Sequence, residues 1–121
     1  MNNQAPITKK YDLEERTAKF GEEVIDFVKG LPRDEITKPL IAQLVKAATS
    51  VGANFCEADD AESARDFKHK IDIAKKESRE AKHFIRMIVK VVPDSKEKAR
   101  KYWQEAKELN LILNSIYRKL K

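Results

Sequence analysis

Four apolar stripes with spacings of three and four residues run through the chain, the first three closed by a proline, a glycine or a charged break. That pattern leaves little besides a helical bundle for the chain to fold into. Leu13, Thr17, Phe20, Val24, Phe27 and Leu31 form the first stripe. Asp12 and Glu15 match an N-cap with its reciprocal acceptor; Gly30, tolerant of positive φ, and Pro32 stop the helix. The second stripe is Leu40, Leu44, Ala47, Val51, Phe55 and Ala58, with Pro39 acceptable in a first turn. Asp59-Asp60-Ala61-Glu62 then breaks the period. Ser63 with Asp66 resembles a cap for the third stripe, Phe67, Ile71, Ala74, Ser78, Ala81, Ile85, Ile88 and Val92. Pro93 ends that helix, and Asp94 or Ser95 can cap a fourth, which carries Ala99, Tyr102, Ala106, Leu109, Leu113, Ile116 and Leu120. With 121 residues there is room for one core. Short connections force neighbouring helices antiparallel, so the expectation is all-α: an up-down-up-down, left-handed four-helix bundle over residues 11–121, preceded by a flexible segment at residues 1–10.

No stretch approaches the roughly 20 apolar residues of a membrane span, so no membrane partner is expected. The start Met1-Asn2-Asn3-Gln4-Ala5-Pro6 lacks the basic and apolar regions of a secretory signal. The one cysteine, Cys56, cannot form an internal disulfide or supply a zinc site by itself, which fits a reducing compartment. The expected location is cytoplasmic. Net charge is +5, unevenly spread: residues 1–60 hold 8 basic and 11 acidic side chains, net −3, and residues 61–121 hold 17 and 9, net +8. A positive second half suggests a surface that meets an anion, with nucleic acid the commonest partner.

Catalytic and metal chemistry find little to stand on. Ferritin-type bundles build di-iron sites from two Glu-x-x-His pairs facing inward. This chain has one such pair, Glu80 and His83, and both fall away from the stripe through Ala74, Ala81 and Ile85. Cys56 has no activating partner evident in the sequence, and its small and apolar neighbours suggest a buried structural residue. Three glycines, none clustered, exclude a Gly-rich phosphate loop. No catalytic residue, metal or cofactor is expected.

Three other groupings are better defined. On the third helix Arg65, Lys68, Lys75, Arg79, Lys82, Arg86 and Lys90 fall within a sector of roughly 100°, joined by one acid, Asp72. Such a row can track phosphates; the alternative is a solvated face stitched by i,i+4 ion pairs. Aromatic residues interleaved along this helix are missing, so backbone contact without base readout is the form expected. Apolar lines off the main stripes come next: Ile41, Val45, Thr49 and Gly52 on the second helix, and Ile73, Phe84 and Met87 on the third. Gly52 and Ala48 are small enough to admit another helix. These lines suggest subunit contacts, against the alternative of a wide core. Lastly, Ser50, Asn54 and Glu57 share a helical line and could bond a neighbouring helix to fix register; an active-site reading of the trio is the alternative.

The run Ser50-Val51-Gly52-Ala53-Asn54-Phe55-Cys56-Glu57-Ala58, with Asp66-Phe67, Lys70 and Ile73-Ala74-Lys75-Lys76-Glu77-Ser78-Arg79-Glu80, resembles the four helix bundle protein family, also called the 23S rRNA-intervening sequence proteins. Asp12-Leu13-Glu14-Glu15-Arg16-Thr17 and Gln43-Leu44 look similar too; His83-Phe84 departs from the aromatic pair common in the family. The resemblance implies a four-helix subunit, frequently a ring of five, with no known catalytic activity. It also implies kinship with the basic accessory protein of diversity-generating retroelements, which works with a reverse transcriptase and nucleic acid. Together these readings predict a non-enzymatic homo-oligomer, a pentamer by the resemblance, that binds RNA or DNA backbone through a basic face on helices three and four. The rival is a protein-interaction adaptor whose basic face meets an acidic protein partner such as a polymerase.

Overall fold

The computed structural model describes residues 5–120, with side chains from 13 onward. Four helices follow one another: α1 Ala5–Lys29, α2 Thr37–Asp59, α3 Ala64–Val91 and α4 Lys96–Arg118, with a 3-10 turn, Pro93–Ser95, between the last two. The stripes are the core: Phe20, Val24, Leu44, Val51, Ile71, Ile85, Ile88, Leu109 and Leu113 are all but inaccessible to solvent. Each helix packs on its neighbours in the chain, α2 against α3 most extensively. α1 closes the ring against α4 only sparsely, and the diagonal pairs do not meet among the described residues. That neighbour order is what up-down-up-down connectivity produces.

The helix ends depart from expectation in three places. α1 begins at Ala5, so Asp12 lies within a helix and not at its cap, and residues 5–10, expected to be flexible, are helical. Pro6 falls in the first turn, where its missing N–H has no intrahelical partner. The side chain of Asp12 and the rest of the expected flexible segment, residues 1–4, lie outside the described residues. Gly30 does not adopt positive φ. α1 stops instead by tightening, with Gly30 N–H donating to the Phe27 carbonyl and Leu31 N–H to that of Val28. The Arg33 guanidinium adds bonds of 2.5 and 2.6 Å to the carbonyls of Val28 and Leu31. Ser63 caps α3 as expected, its hydroxyl accepting from Asp66 N–H at 3.0 Å. Ser95, which precedes α4, makes no such cap; its hydroxyl donates to the Val92 carbonyl.

The turn into α2 is set by a reciprocal pair. Asp34 Oδ1 accepts from the N–H groups of Ile36 and Thr37, both at 2.8 Å, and Thr37 Oγ1 accepts from Asp34 N–H while donating to the Pro32 carbonyl. Those backbone donors hold the Asp34 carboxyl below its ordinary pKa. Because the folded state favours the ionised form, this support is present above the usual aspartate range and fades as pH falls through the depressed value.

α1 and α2 approach so closely that two glycines face the opposing backbone. A Cβ on Gly52 would lie 3.3 Å from Thr17 C, Thr17 O and Ala18 N, and one on Gly21 would lie 3.3 Å from Thr49 Cα. At Gly52 this corrects the expectation that Ile41, Val45, Thr49 and Gly52 form a contact between subunits. Gly52 is buried against α1, Ile41 belongs to the core, Val45 packs against it, and Thr49 edges the same crossing. The helix that the small residues admit is α1 of the same chain. Across the sparse α1–α4 seam, Arg16 forks onto Glu105 at 2.7 and 2.9 Å and reaches Glu108 at 2.8 Å, and the rings of Phe27 and Tyr102 stand 5.1 Å apart.

Three stability measurements check this packing. Gly52→Leu should destabilise the monomer by at least about 1–3 kcal/mol in chemical denaturation, the usual cost of overpacking. Gly30→Ala, whose Cβ would meet only the Phe27 carbonyl at 3.8 Å, should leave stability unchanged or raise it. For the Arg16 fork, a double-mutant cycle with Glu105 should return a coupling of about 1 kcal/mol that shrinks with added salt.

Candidate nucleic-acid interface

The α3–α4 seam is organised around a small polar cluster. Asn110 on α4 donates to the Lys75 carbonyl at 2.9 Å and to Ser78 Oγ at 3.3 Å, while Ser78 Oγ donates to the same carbonyl at 2.7 Å. Ser78 is fully buried in the α3 stripe. These bonds set how far α4 sits along α3, and therefore which α4 side chains stand beside the basic row.

Of that row, Arg65, Arg79, Arg86 and Lys90 are exposed, and Lys68, Lys75 and Lys82 are half-buried where their stems lean toward α4. Lys75 Nζ lies 4.3 Å from the centre of the Tyr117 ring and Lys68 Nζ 5.1 Å from it; Lys82 Nζ lies 5.3 Å from that of Trp103. α4 extends the row. Lys96, Arg100 and Lys107 are exposed on its near flank, and Lys107 Nζ lies 5.6 Å from Trp103 from the α4 side. The expectation that the row lacks interleaved aromatics is thus overturned: Trp103 and Tyr117 stand among the cations, contributed by the neighbouring helix. The α3 wheel could not reveal them, but the α4 sequence carries a signal in the spacing Lys96, Arg100, Trp103, Lys107.

Ion pairing separates the two readings of the row. Lys75 lies 3.5 Å from Asp72, which also holds Lys76 at 3.3 Å, and Arg100 lies 3.5 Å from the exposed Glu97. Arg79, Lys82, Arg86, Lys90, Lys96 and Lys107 make no ion pair among the described residues. A face stitched by i,i+4 bridges would leave few cations unmatched. Below Trp103, Ile85, Val89 and Ala99 floor a hollow of about 200 Å³ whose charged lining is wholly cationic: Arg86, Lys96 and Arg100.

The other predicted residues sit elsewhere. Phe84 packs against the core, and Ile73 and Met87 are half-buried on the α3 flank beside α2. Glu57 reaches Lys70 on α3 at 2.7 Å, whereas Asn54 donates within its own helix to the Ser50 carbonyl at 2.9 Å, so only one member of the polar line joins the two helices. Cys56 is exposed, contrary to expectation, and partial desolvation with nearby Glu14 and Asp59 pushes its thiol pKa up, which disfavours the reactive thiolate. Glu80 and His83 are exposed, and no cluster of three or more His, Cys, Asp or Glu suited to a metal ion occurs among the described residues. Glu77 has one carboxylate oxygen buried without a hydrogen-bond partner; burial raises its pKa, Glu80 adds to this and Lys46 opposes it.

Helix number, neighbour order and a cationic seam define an all-α four-helix-bundle protein. The chain belongs to the 23S rRNA-intervening sequence protein family, whose sequence profile matches residues 9–115. A solved structure of a protein of unknown function from the S23 ribosomal protein family of Bacteroides thetaiotaomicron is similar, with 24% identity and a TM-score of 0.80 over 91% of this chain and 98% of that one. At that identity the likeness shows the fold alone. No curated protein matches the sequence. No helix among the described residues is long and apolar enough to cross a membrane.

Asn110→Ala should lower stability by about 1 kcal/mol in urea unfolding, since one interhelical anchor is lost; Asn114→Ala, one turn along, is the control and should change little. Glu77→Gln should stabilise the protein at neutral pH. The raised folded-state pKa means that ionised Glu77 opposes folding once pH exceeds the ordinary glutamate range, so the gain should vanish as pH falls below that range. Thermal melts of both proteins across pH check the sign.

Proposed function

We propose that this chain is a non-enzymatic, cytoplasmic, oligomeric bundle that holds RNA or DNA by its phosphate backbone through the α3–α4 face. The observation that carries this reading is the set of exposed, unpaired cations drawn from two helices onto one surface: Arg79, Arg86 and Lys90 from α3, Lys96 and Lys107 from α4. Neutralising a row of phosphates releases counterions, and the binding it gives is general and salt-dependent. The opposite half of the chain, α1 and α2, carries the excess of acid and would turn away from the same polyanion. Membership of a family named for intervening sequences of 23S ribosomal RNA supports the reading.

Assembly as a homo-oligomer, five subunits by the family resemblance, is part of the proposal. Its contact is drawn differently from the sequence expectation, because Gly52 of the α2 line faces α1 of the same chain. Apolar side chains open to such a contact include Ile36, Val91 and Leu111, all exposed, with half-buried Ile73, Phe84 and Met87. An exposed lone cysteine agrees with a reducing, cytoplasmic setting.

Gel-shift titrations against structured RNA and duplex DNA over a range of salt test the reading. The logarithm of affinity should fall linearly with that of salt, by about 0.9 per phosphate contacted on duplex DNA. Reversing Arg79, Arg86, Lys90 and Lys96 to Glu should weaken binding at least about 100-fold at low salt with helicity unchanged, because exposed charges add little to folding. Equal affinity in the parent and the variant, or tight binding of an acidic protein with none of nucleic acid, would overturn it.

A further inference from the structure

The α3–α4 face is more than a charged surface, because its cations surround an apolar hollow with an aromatic wall. Ile85 and Val89 of α3 and Ala99 and Trp103 of α4 line it, and Arg86, Lys96 and Arg100 supply its only charged groups. Hydrated phosphates gain nothing from the apolar floor, and base pairs stacked inside a duplex cannot reach it. An unstacked base satisfies both parts at once: its flat apolar surface fits against Trp103, and its own phosphates fall to the cationic rim. Trp103 is half-buried and cations approach its ring from both helices, Lys82 at 5.3 Å and Lys107 at 5.6 Å, so any strand following the row passes the hollow.

We infer that the Trp103 hollow receives an unpaired nucleobase and that the protein therefore selects single-stranded or looped nucleic acid over a fully paired duplex. The inference rests on the backbone-binding reading and adds to it a preference that phosphate contact alone does not create. The occupant is identified by charge complementarity: a lining whose charged groups are three cations, of which only Arg100 has an acid beside it among the described residues, Glu97 at 3.5 Å, fits a base attached to phosphates, and opposes a cationic or a purely aliphatic ligand.

Trp103 is the only tryptophan in the chain, so its fluorescence reports on the hollow alone. The probes are a single-stranded RNA 12-mer of uridine and an abasic 12-mer with the same number of phosphates. Binding of the uridine strand should quench Trp103 and be about ten-fold tighter than binding of the abasic strand, the scale of one stacked base. Trp103→Ala should bring the uridine strand to the abasic affinity and leave the abasic affinity unchanged, while Trp103→Phe, which keeps an aromatic wall, should retain most of the preference. The parent fluorescence decides the matter even where the alanine variant fails to fold. Equal affinity for both strands with no quenching would overturn the inference and leave backbone binding standing; failure of both strands to bind at low salt would overturn both. An aromatic-bearing acidic peptide that quenches Trp103 while the uridine strand does not would assign the hollow to a protein partner, and would likewise overturn it.

Discussion

The register of α4 against α3 is the constraint on which the cationic face depends. Two amphipathic helices with apolar stripes can slide by a turn and still bury similar area, since hydrophobic burial has no direction. Hydrogen bonds from Asn110 to the Lys75 carbonyl and Ser78 Oγ are directional, and the seam around them is largely closed to water, so a slipped register would leave polar groups unpaired. With that register fixed, Tyr117 comes under Lys68 and Lys75, and Trp103 under Lys82. The hollow beside Arg86 is a product of the same alignment.

The other half of the bundle is built on a different principle. α1 meets α2 through backbone, with Gly21 and Gly52 each facing the opposite helix at distances where even a Cβ would be tight. Close packing of this kind gains dispersion contacts over a long crossing. α1 meets α4 more sparsely, across a seam joined by the Arg16 fork and the Phe27–Tyr102 ring contact. The acidic and basic halves of the chain thus become the two sides of the molecule. The side facing away from the cationic row is tightly closed by small residues, and the row itself is open.

Much of the fold was legible in the sequence because a stripe at three-four spacing has one way to bury itself. Phe20, Val24, Ile85 and Leu109 fall in the core for that reason. Helix ends were less legible. The Asp12 cap pattern is a local signal, and the α1 helix continues through it to Ala5; Gly30 reads as a left-handed stop, yet the tightened last turn and Arg33 end the helix without one. The small-residue line through Gly52 announced close approach correctly but not its partner, since a helical wheel does not distinguish a helix of the same chain from one of a neighbour. The basic face on α3 and α4 was visible, and the aromatic rings set among its cations were not, because a site shared by two helices exists only once their register is set.

The central claim is that nucleic acid lies along the α3–α4 seam. Amide hydrogen exchange of the protein alone and with a saturating structured RNA locates the contact without altering any residue. Slowed exchange at the exposed ends of this seam, in the last turns of α3 near Arg86 and Lys90 and the first turns of α4 near Lys96 and Arg100, with α1 and the α1–α2 turn unaffected, is the result this account predicts. Protection confined to α1 and α2, with α3 and α4 unchanged, would contradict it.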